Sequence, residues 1–194
     1  MAAPDVYTIG HSNRTIDEFI ALLREAGVQR LIDIRRLPGS RACPQFDAEP
    51  FKASLAQAGI DYCWLQALGG RRGRSLPKDD ARNAFWENLS FRHYADYALT
   101  PPFAEGLAQL EAFAARQRCA IMCAEAVWWR CHRRIVTDHL LARGHRVFHI
   151  MGPGQIRPAS LTRGALASGG SVTYPPPPLS QNAELSLTGS EKSS

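Results

Sequence analysis

The residue types in this 194-residue chain best suited to chemistry are concentrated in Cys123-Ala124-Glu125-Ala126-Val127-Trp128-Trp129-Arg130-Cys131-His132-Arg133. A thiol and a carboxylate open this run, and a Cys-His-Arg triplet closes it. If the run joins a strand end to a helix start, the helix presents unpaired N–H groups and a positive dipole end. Both favour a bound anion and lower the pKa of a nearby thiol. In that setting Arg133 is a bidentate anion clamp, Glu125 a general base or a group orienting His132, and Cys131 a nucleophile. The competing reading has Cys123 completing a buried strand, Cys131 packing as a small hydrophobe, and Glu125 pairing with Arg133. On the residues alone both readings of the two cysteines stand.

The elements that must position this run follow from hydrophobic patterning. Val6 to Ile9, Leu31 to Ile34, Tyr62 to Leu65, Ala120 to Cys123 and Arg146 to Ile150 read as strands. Between them lie amphipathic stretches. Thr15 and Glu18 form a capping box ahead of Ile16, Phe19, Ile20 and Leu23, and further helical faces carry Phe51 and Leu55, Phe103 to Ala114, and Ile135 to Leu140. Strands alternating with helices imply right-handed crossovers and a parallel sheet. The expectation is a single α/β domain over residues 1–151, with a mainly parallel sheet of five strands or slightly more and helices in Rossmann-like or flavodoxin-like layering. An insertion rich in Arg and aromatics occupies about 69–100. Residues 152–194, rich in Pro, Gly and Ser, read as a tail, partly docked up to Leu166 and mobile from Ser168.

Ligands of an open parallel sheet bind beyond the carboxyl ends of its strands. Strand one runs into Gly10-His11-Ser12-Asn13-Arg14, strand two into Arg35 to Arg41, strand three into Leu68-Gly69-Gly70-Arg71-Arg72, and strand four into Ala124-Glu125. All four exits carry groups that bind anions or move protons, so the expected site gathers them. His11 and Glu125 would exchange protons with His132 beside them, while Ser12, Arg35, Arg41 and Arg133 would hold the anion and Trp128 would stack on a ring. Asp33, set between Ile32 and Ile34, needs a partner if buried, and Arg35, Arg41 and His11 are the candidates. The remaining histidines read as structural.

Other templates fail on spacing. A phosphatase-type loop wants Arg six positions after a strand-end Cys, whereas Cys123 and Arg130 are seven apart. No zinc-ligand frame, phosphate loop or dinucleotide fingerprint is present, so neither metal nor cofactor is expected. The Cys count is five, the cysteines are dispersed, and they read as free thiols. No apolar run reaches the roughly 18 to 20 residues of a membrane span, and Met1 to Asp5 lacks a secretory signal pattern, so a cytoplasmic protein with no membrane partner is expected. The net charge of +5 does not by itself establish nucleic-acid binding.

Taken together, Thr8-Ile9-Gly10-His11-Ser12, Asp33-Ile34-Arg35 with Pro38 and Ser40-Arg41, Leu68-Gly69-Gly70, and Cys123-Ala124-Glu125 followed by Cys131-His132-Arg133 resemble the bacterial domain of unknown function 488. The resemblance runs from about Tyr7 to Ile150 and implies a compact α/β domain whose strand-end residues share one site. It carries no reaction with it. The sequence departs from the family between Glu125 and Cys131, where an aromatic Trp128-Trp129 pair replaces a polar turn.

Two functional classes follow. One is an enzyme performing hydrolytic or transfer chemistry on an anionic substrate, a nucleotide or nucleic-acid component, at the strand-end crevice. The other is a non-enzymatic module binding nucleic acid or a small anion through Arg71, Arg72, Arg74 and Arg82 around Phe85, Trp86, Phe91 and Tyr94. A third option is a redox or structural protein built on Cys123 and Cys131.

Overall fold

A computed structural model describes residues 3–39, 42–74, 76–77 and 80–177. The chain forms β1 (Val6–Gly10), α1 (Ile16–Glu25), β2 (Arg30–Asp33), α2 (Ala48–Gln57), β3 (Asp61–Trp64), α3 (Leu89–Tyr97), α4 (Pro101–Ala114), β4 (Cys119–Cys123), α5 (Arg133–Ala142), β5 (Val147–Gly152), β6 (Gln155–Pro158), β7 (Leu166–Ser168) and β8 (Ser171–Thr173). Thr15 and Glu18 make the expected reciprocal capping box at the start of α1. The fold is α/β. Its six-stranded sheet has the order β3-β2-β4-β1-β5-β6, with only β6 antiparallel to its neighbour.

That order differs from the Rossmann and flavodoxin orders because β4 enters between β2 and β1. It also explains the layering. The chain moves one way along the sheet from β1 to β2 to β3, then reverses through β4 to β5. Right-handed crossovers put helices of opposite travel on opposite faces. Phe19 and Leu23 of α1 and Phe51 and Leu55 of α2 accordingly pack with Ile9, Leu31, Ala120 and Met122. Leu107 and Leu110 of α4 and Ile135, Val136 and Leu140 of α5 pack on the other face with Val6, Ile32 and Ile121. Strand β4 therefore lies on the return path, flanked on both sides by strands whose chains leave toward the opposite layer.

Two expectations change. The insertion holds the short helix α3, but its aromatics do not form a surface: Trp86, Tyr94 and Tyr97 are buried in the core on the α4 and α5 side. The segment read as a tail from residue 152 stays with the domain as far as Tyr174. Strand β6 extends the sheet, β7 and β8 form a hairpin, and Val172 and Tyr174 are fully buried. The Tyr174 hydroxyl donates to Asp138 at 2.7 Å, and its backbone exchanges hydrogen bonds with Arg82 and Phe85, so it ties α5 to the insertion. Two apolar side chains among Gly and Ser have no period to read, which is why composition alone places the domain edge too early. Residues 178–194 lie outside the described residues. No described helix is long and apolar enough to cross a membrane.

Candidate functional site

The sheet register sets the site. Gly10 pairs with Cys123 and Asp33 with Met122, and the pairing continues past the strand ends: His11 and Ser12 donate backbone bonds to Cys123 and Ala124, and Ile34 to Met122. The exits of β1, β4 and β2 thus stay side by side where adjacent strands leave toward opposite helical layers, and a crevice opens between them. A pocket of about 480 Å³ opens there. His11, Arg35, Cys123, Glu125, Cys131 and His132 line it, and so do Arg36, Gly70, Arg71, Phe91, Tyr94 and Arg130. Two glycines permit the close packing. A Cβ on Gly10 would stand 1.8 Å from the Glu125 carbonyl oxygen, and one on Gly70 would stand 2.7 Å from His132 Nδ1.

Both pocket histidines are held by one nitrogen. His132 Nε2 lies 2.8 Å from the Ile34 carbonyl oxygen, and His11 Nδ1 lies 2.8 Å from that of Ser12. A carbonyl can only accept, so these nitrogens carry the protons and the opposite ones, His132 Nδ1 and His11 Nε2, are bare acceptors. His11 Nε2 is buried without a partner among the described residues. Burial pulls the His132 pKa down to about 4, with Arg133 and Arg72 adding to the fall. Burial likewise lowers that of His11, which stacks on Phe46 at 4.3 Å, and Arg35 contributes. Both rings are therefore neutral near pH 7 and can take a proton.

Two buried arginines flank them. Arg35 returns onto Asp33, its Nε 3.0 Å from both carboxylate oxygens and its Nη2 2.6 Å from one, while its backbone N–H and the Tyr62 hydroxyl complete the carboxylate's bonds. Arg35 Nη1 has no partner among the described residues. Among the described residues no carboxylate lies within ion-pair distance of Arg133. Its Nε donates to Cys123 Sγ at 3.0 Å and to Cys131 Sγ at 3.3 Å, its Nη2 to the Glu125 carbonyl at 2.6 Å, and its Nη1 to Thr8 Oγ1 at 3.4 Å. The two sulfurs are 3.2 Å apart, with the Cys123 thiol donating to Cys131. Burial raises the Cys131 pKa, but the Cys123 hydrogen bond and Arg133 outweigh it and bring it to about 6. Burial pushes the Cys123 thiol up, so the pair's remaining proton stays there. Among the described residues no group of three or more His, Cys, Asp or Glu side chains is placed to hold a metal ion.

The family described as Domain of unknown function DUF488 matches residues 15–140. The chain belongs to the DUF488 family. No curated protein and no solved structure matches the chain. The DUF488 match spans Asp33, Arg35 and the whole Cys123 to Arg133 run; His11 lies ahead of it and joins the site through the β1–β4 pairing.

In this DUF488 domain several residues take other parts than the sequence suggested. Arg133 is a buried support beneath the pocket and not a clamp facing it. Glu125 lines the pocket but is exposed, and the Ile34 carbonyl, not Glu125, orients His132. The Ser12 side chain is not among the lining groups: its hydroxyl bonds Asn13, and its carbonyl holds His11. One face of Trp128 is covered by His149, stacked at 4.4 Å, and Trp128 is not among the residues lining the pocket. Arg41 lies outside the described residues. Arg72 is spent capping the turn at Gln66 to Gly69 and stacking on Tyr97, and Arg82 pairs with Asp80. The lining arginines missed from the primary site, Arg36, Arg71 and Arg130, each sit next to or within a motif already singled out. Only the direction taken by the chain separates them from Arg35, Arg72 and Arg133.

Proposed function

We propose that the protein is an enzyme using acid–base chemistry on an anionic, nucleotide-related substrate held at the strand-end pocket. The observation that carries this reading is the pair of neutral imidazoles. Each is fixed through a backbone carbonyl that leaves its other nitrogen as the acceptor, and both residues line a pocket that Arg36, Arg71 and Arg130 make basic. A water or hydroxyl nucleophile gives its proton to His132 Nδ1 or His11 Nε2. The guanidinium groups meet the charge that develops on the substrate. Glu125, an exposed carboxylate in the lining, relays protons to solvent. A volume of about 480 Å³ suits a mononucleotide or one residue of a strand, within the usual ~300–1,000 Å³ of small-molecule sites.

The binding-module alternative draws less support, because Trp86 and Tyr94 are core residues and Arg72 and Arg82 are already engaged. The test is turnover of nucleoside phosphates and short oligonucleotides, followed by chromatography. His11→Ala and His132→Ala are expected to lower kcat by about 10²–10⁴ with Kd retained. Unchanged turnover in both variants, or binding without turnover by the native protein, would overturn the reading.

A further inference from the structure

We propose that Cys131 and Cys123 form a thiol–disulfide exchange centre at the base of the pocket, Cys131 attacking and Cys123 resolving, with a low-molecular-weight anionic disulfide as co-substrate. This goes beyond the acid–base reading and uses different atoms of the same crevice.

Three observations converge. The sulfurs stand 3.2 Å apart, one on the last residue of β4 and the other just ahead of α5, and closing to the ~2.05 Å of a disulfide needs a shift of only about 1 Å. Arg133 is buried and directs its Nε at both sulfurs, with no carboxylate beside it among the described residues. A guanidinium so placed requires a counter-charge, and the Cys131 thiolate is the group positioned to supply it. Both sulfur-bearing residues line the pocket, so the centre is reachable through a mouth that carries Arg36, Arg71 and Arg130. Those cations select an anionic partner.

The other groups around the sulfurs leave this charge balance intact. From α3, Tyr94 donates its hydroxyl to the Leu68 carbonyl and burial holds it protonated. His132 at the start of α5 and His11 at the exit of β1 are neutral, and Arg35 at the exit of β2 is matched by Asp33. Glu125 and Arg130, on the connecting loop, are exposed and of opposite sign.

The step balances. The Cys131 thiolate attacks one sulfur of R–S–S–R, the S–S bond breaks, RS⁻ leaves, and Cys131 carries the mixed disulfide. Cys123 then releases its proton to solvent and its sulfur attacks Cys131 Sγ. The second RS⁻ departs and the Cys123–Cys131 disulfide forms. Two protein sulfurs are oxidised by two electrons, and one disulfide is reduced to two thiolates.

The experiment uses the full chain, reduced, with dithiobis(nitrobenzoate), itself an anionic disulfide, followed by stopped flow at pH 6 and peptide mass mapping. The expected fast phase releases two thionitrobenzoates per chain and leaves a Cys123–Cys131 cross-linked peptide. With the Cys131 pKa near 6, its thiolate fraction at pH 6 exceeds that of an ordinary thiol by about a hundredfold. Lower intrinsic nucleophilicity reduces this to about tenfold in rate. Cys123→Ser is expected to release one equivalent and keep the adduct on Cys131. A fast phase that maps to Cys43 or Cys63 in the native protein, or Cys131 reacting no faster than these, would overturn the proposal without reliance on any variant.

Discussion

Arg35 and Arg133 are both nearly sealed from solvent, 5% and 1% exposed, and both support the same pocket, yet they are neutralised by different chemistry. Arg35 sits on a carboxylate that is itself fully buried and further bonded by Tyr62 and by backbone. Arg133 sits on two sulfurs and two carbonyls. The first arrangement fixes the exit of β2 with a closed set of bonds. The second leaves the counter-charge on an atom that can gain a proton, attack an electrophile or be oxidised. A buried cation held by a carboxylate is architecture, whereas one held by thiols keeps its partner reactive.

The largest expected effect breaks the first arrangement. Asp33→Ala leaves Arg35 buried without its anion, and loss of one partner of a buried pair costs about 3–5 kcal/mol. Urea denaturation checks this, and a loss below about 1 kcal/mol would mean that water reaches Arg35. The corresponding change at the second arrangement, Cys131→Ala, should depend on pH. The folded pKa near 6 lies below the ordinary thiol value, so the thiolate's contribution is present above about pH 8.5 and disappears as pH falls through 6. The cost of Cys131→Ala is therefore expected on the order of 3 kcal/mol at pH 8.5 and at most about 1 kcal/mol at pH 5.5. A pH-independent cost would show that Arg133 is not matched by a thiolate, and the contrast between the two arginines would fail.

How much of this the sequence could convey is itself uneven. Strands β1, β2 and β4, the α1 capping box and the Cys123 to Arg133 run were readable because each is a local pattern. What it could not convey depends on neighbours fixed by topology. The entry of β4 between β2 and β1 brings Ile34 beside His132, and a backbone carbonyl acting as orienter leaves no trace in residue identity. Tyr62 reaches Asp33 only through the β2–β3 register, and one face of Trp128 is taken by His149 of β5. Asp33 was legible as needing a partner, but three candidates were equal until the chain turned Arg35 back.

The third expectation concerns charge on the Arg133 side at low pH. His149 bonds Thr8 at 2.8 Å, Thr8 accepts from Arg133, and burial together with Arg133 lowers the His149 pKa to about 4. A histidine depressed in the folded state stabilises fully above its unfolded value of about 6.5, and that contribution is lost as pH falls toward 4. Native stability should therefore decline over that window, and His149→Gln should remove a share of up to about 3 kcal/mol of the decline. Denaturant midpoints at pH 7 and pH 4.5 measure it. An unchanged slope would show that His149 is not held neutral by its burial and by Arg133.

The smallest effect on stability separates the buried arginines from the exposed ones. Arg71 and Arg130 line the pocket and are exposed, without the buried partners that hold Arg35 and Arg133. Replacing either with Ala should change folding stability by no more than about 0.5 kcal/mol, as for other surface positions. Their charge acts outward on a ligand, where one charge-assisted hydrogen bond contributes about 1.5–3 kcal/mol. Affinity for a nucleoside phosphate, measured by calorimetry, is accordingly expected to fall about tenfold or more in each variant. It should also become less sensitive to salt, because a screened attraction has been removed. If affinity is untouched while stability drops, the rim arginines belong with Arg35 as architecture, and the basic character of the pocket must come from Arg36 and the free Nη1 of Arg35 alone.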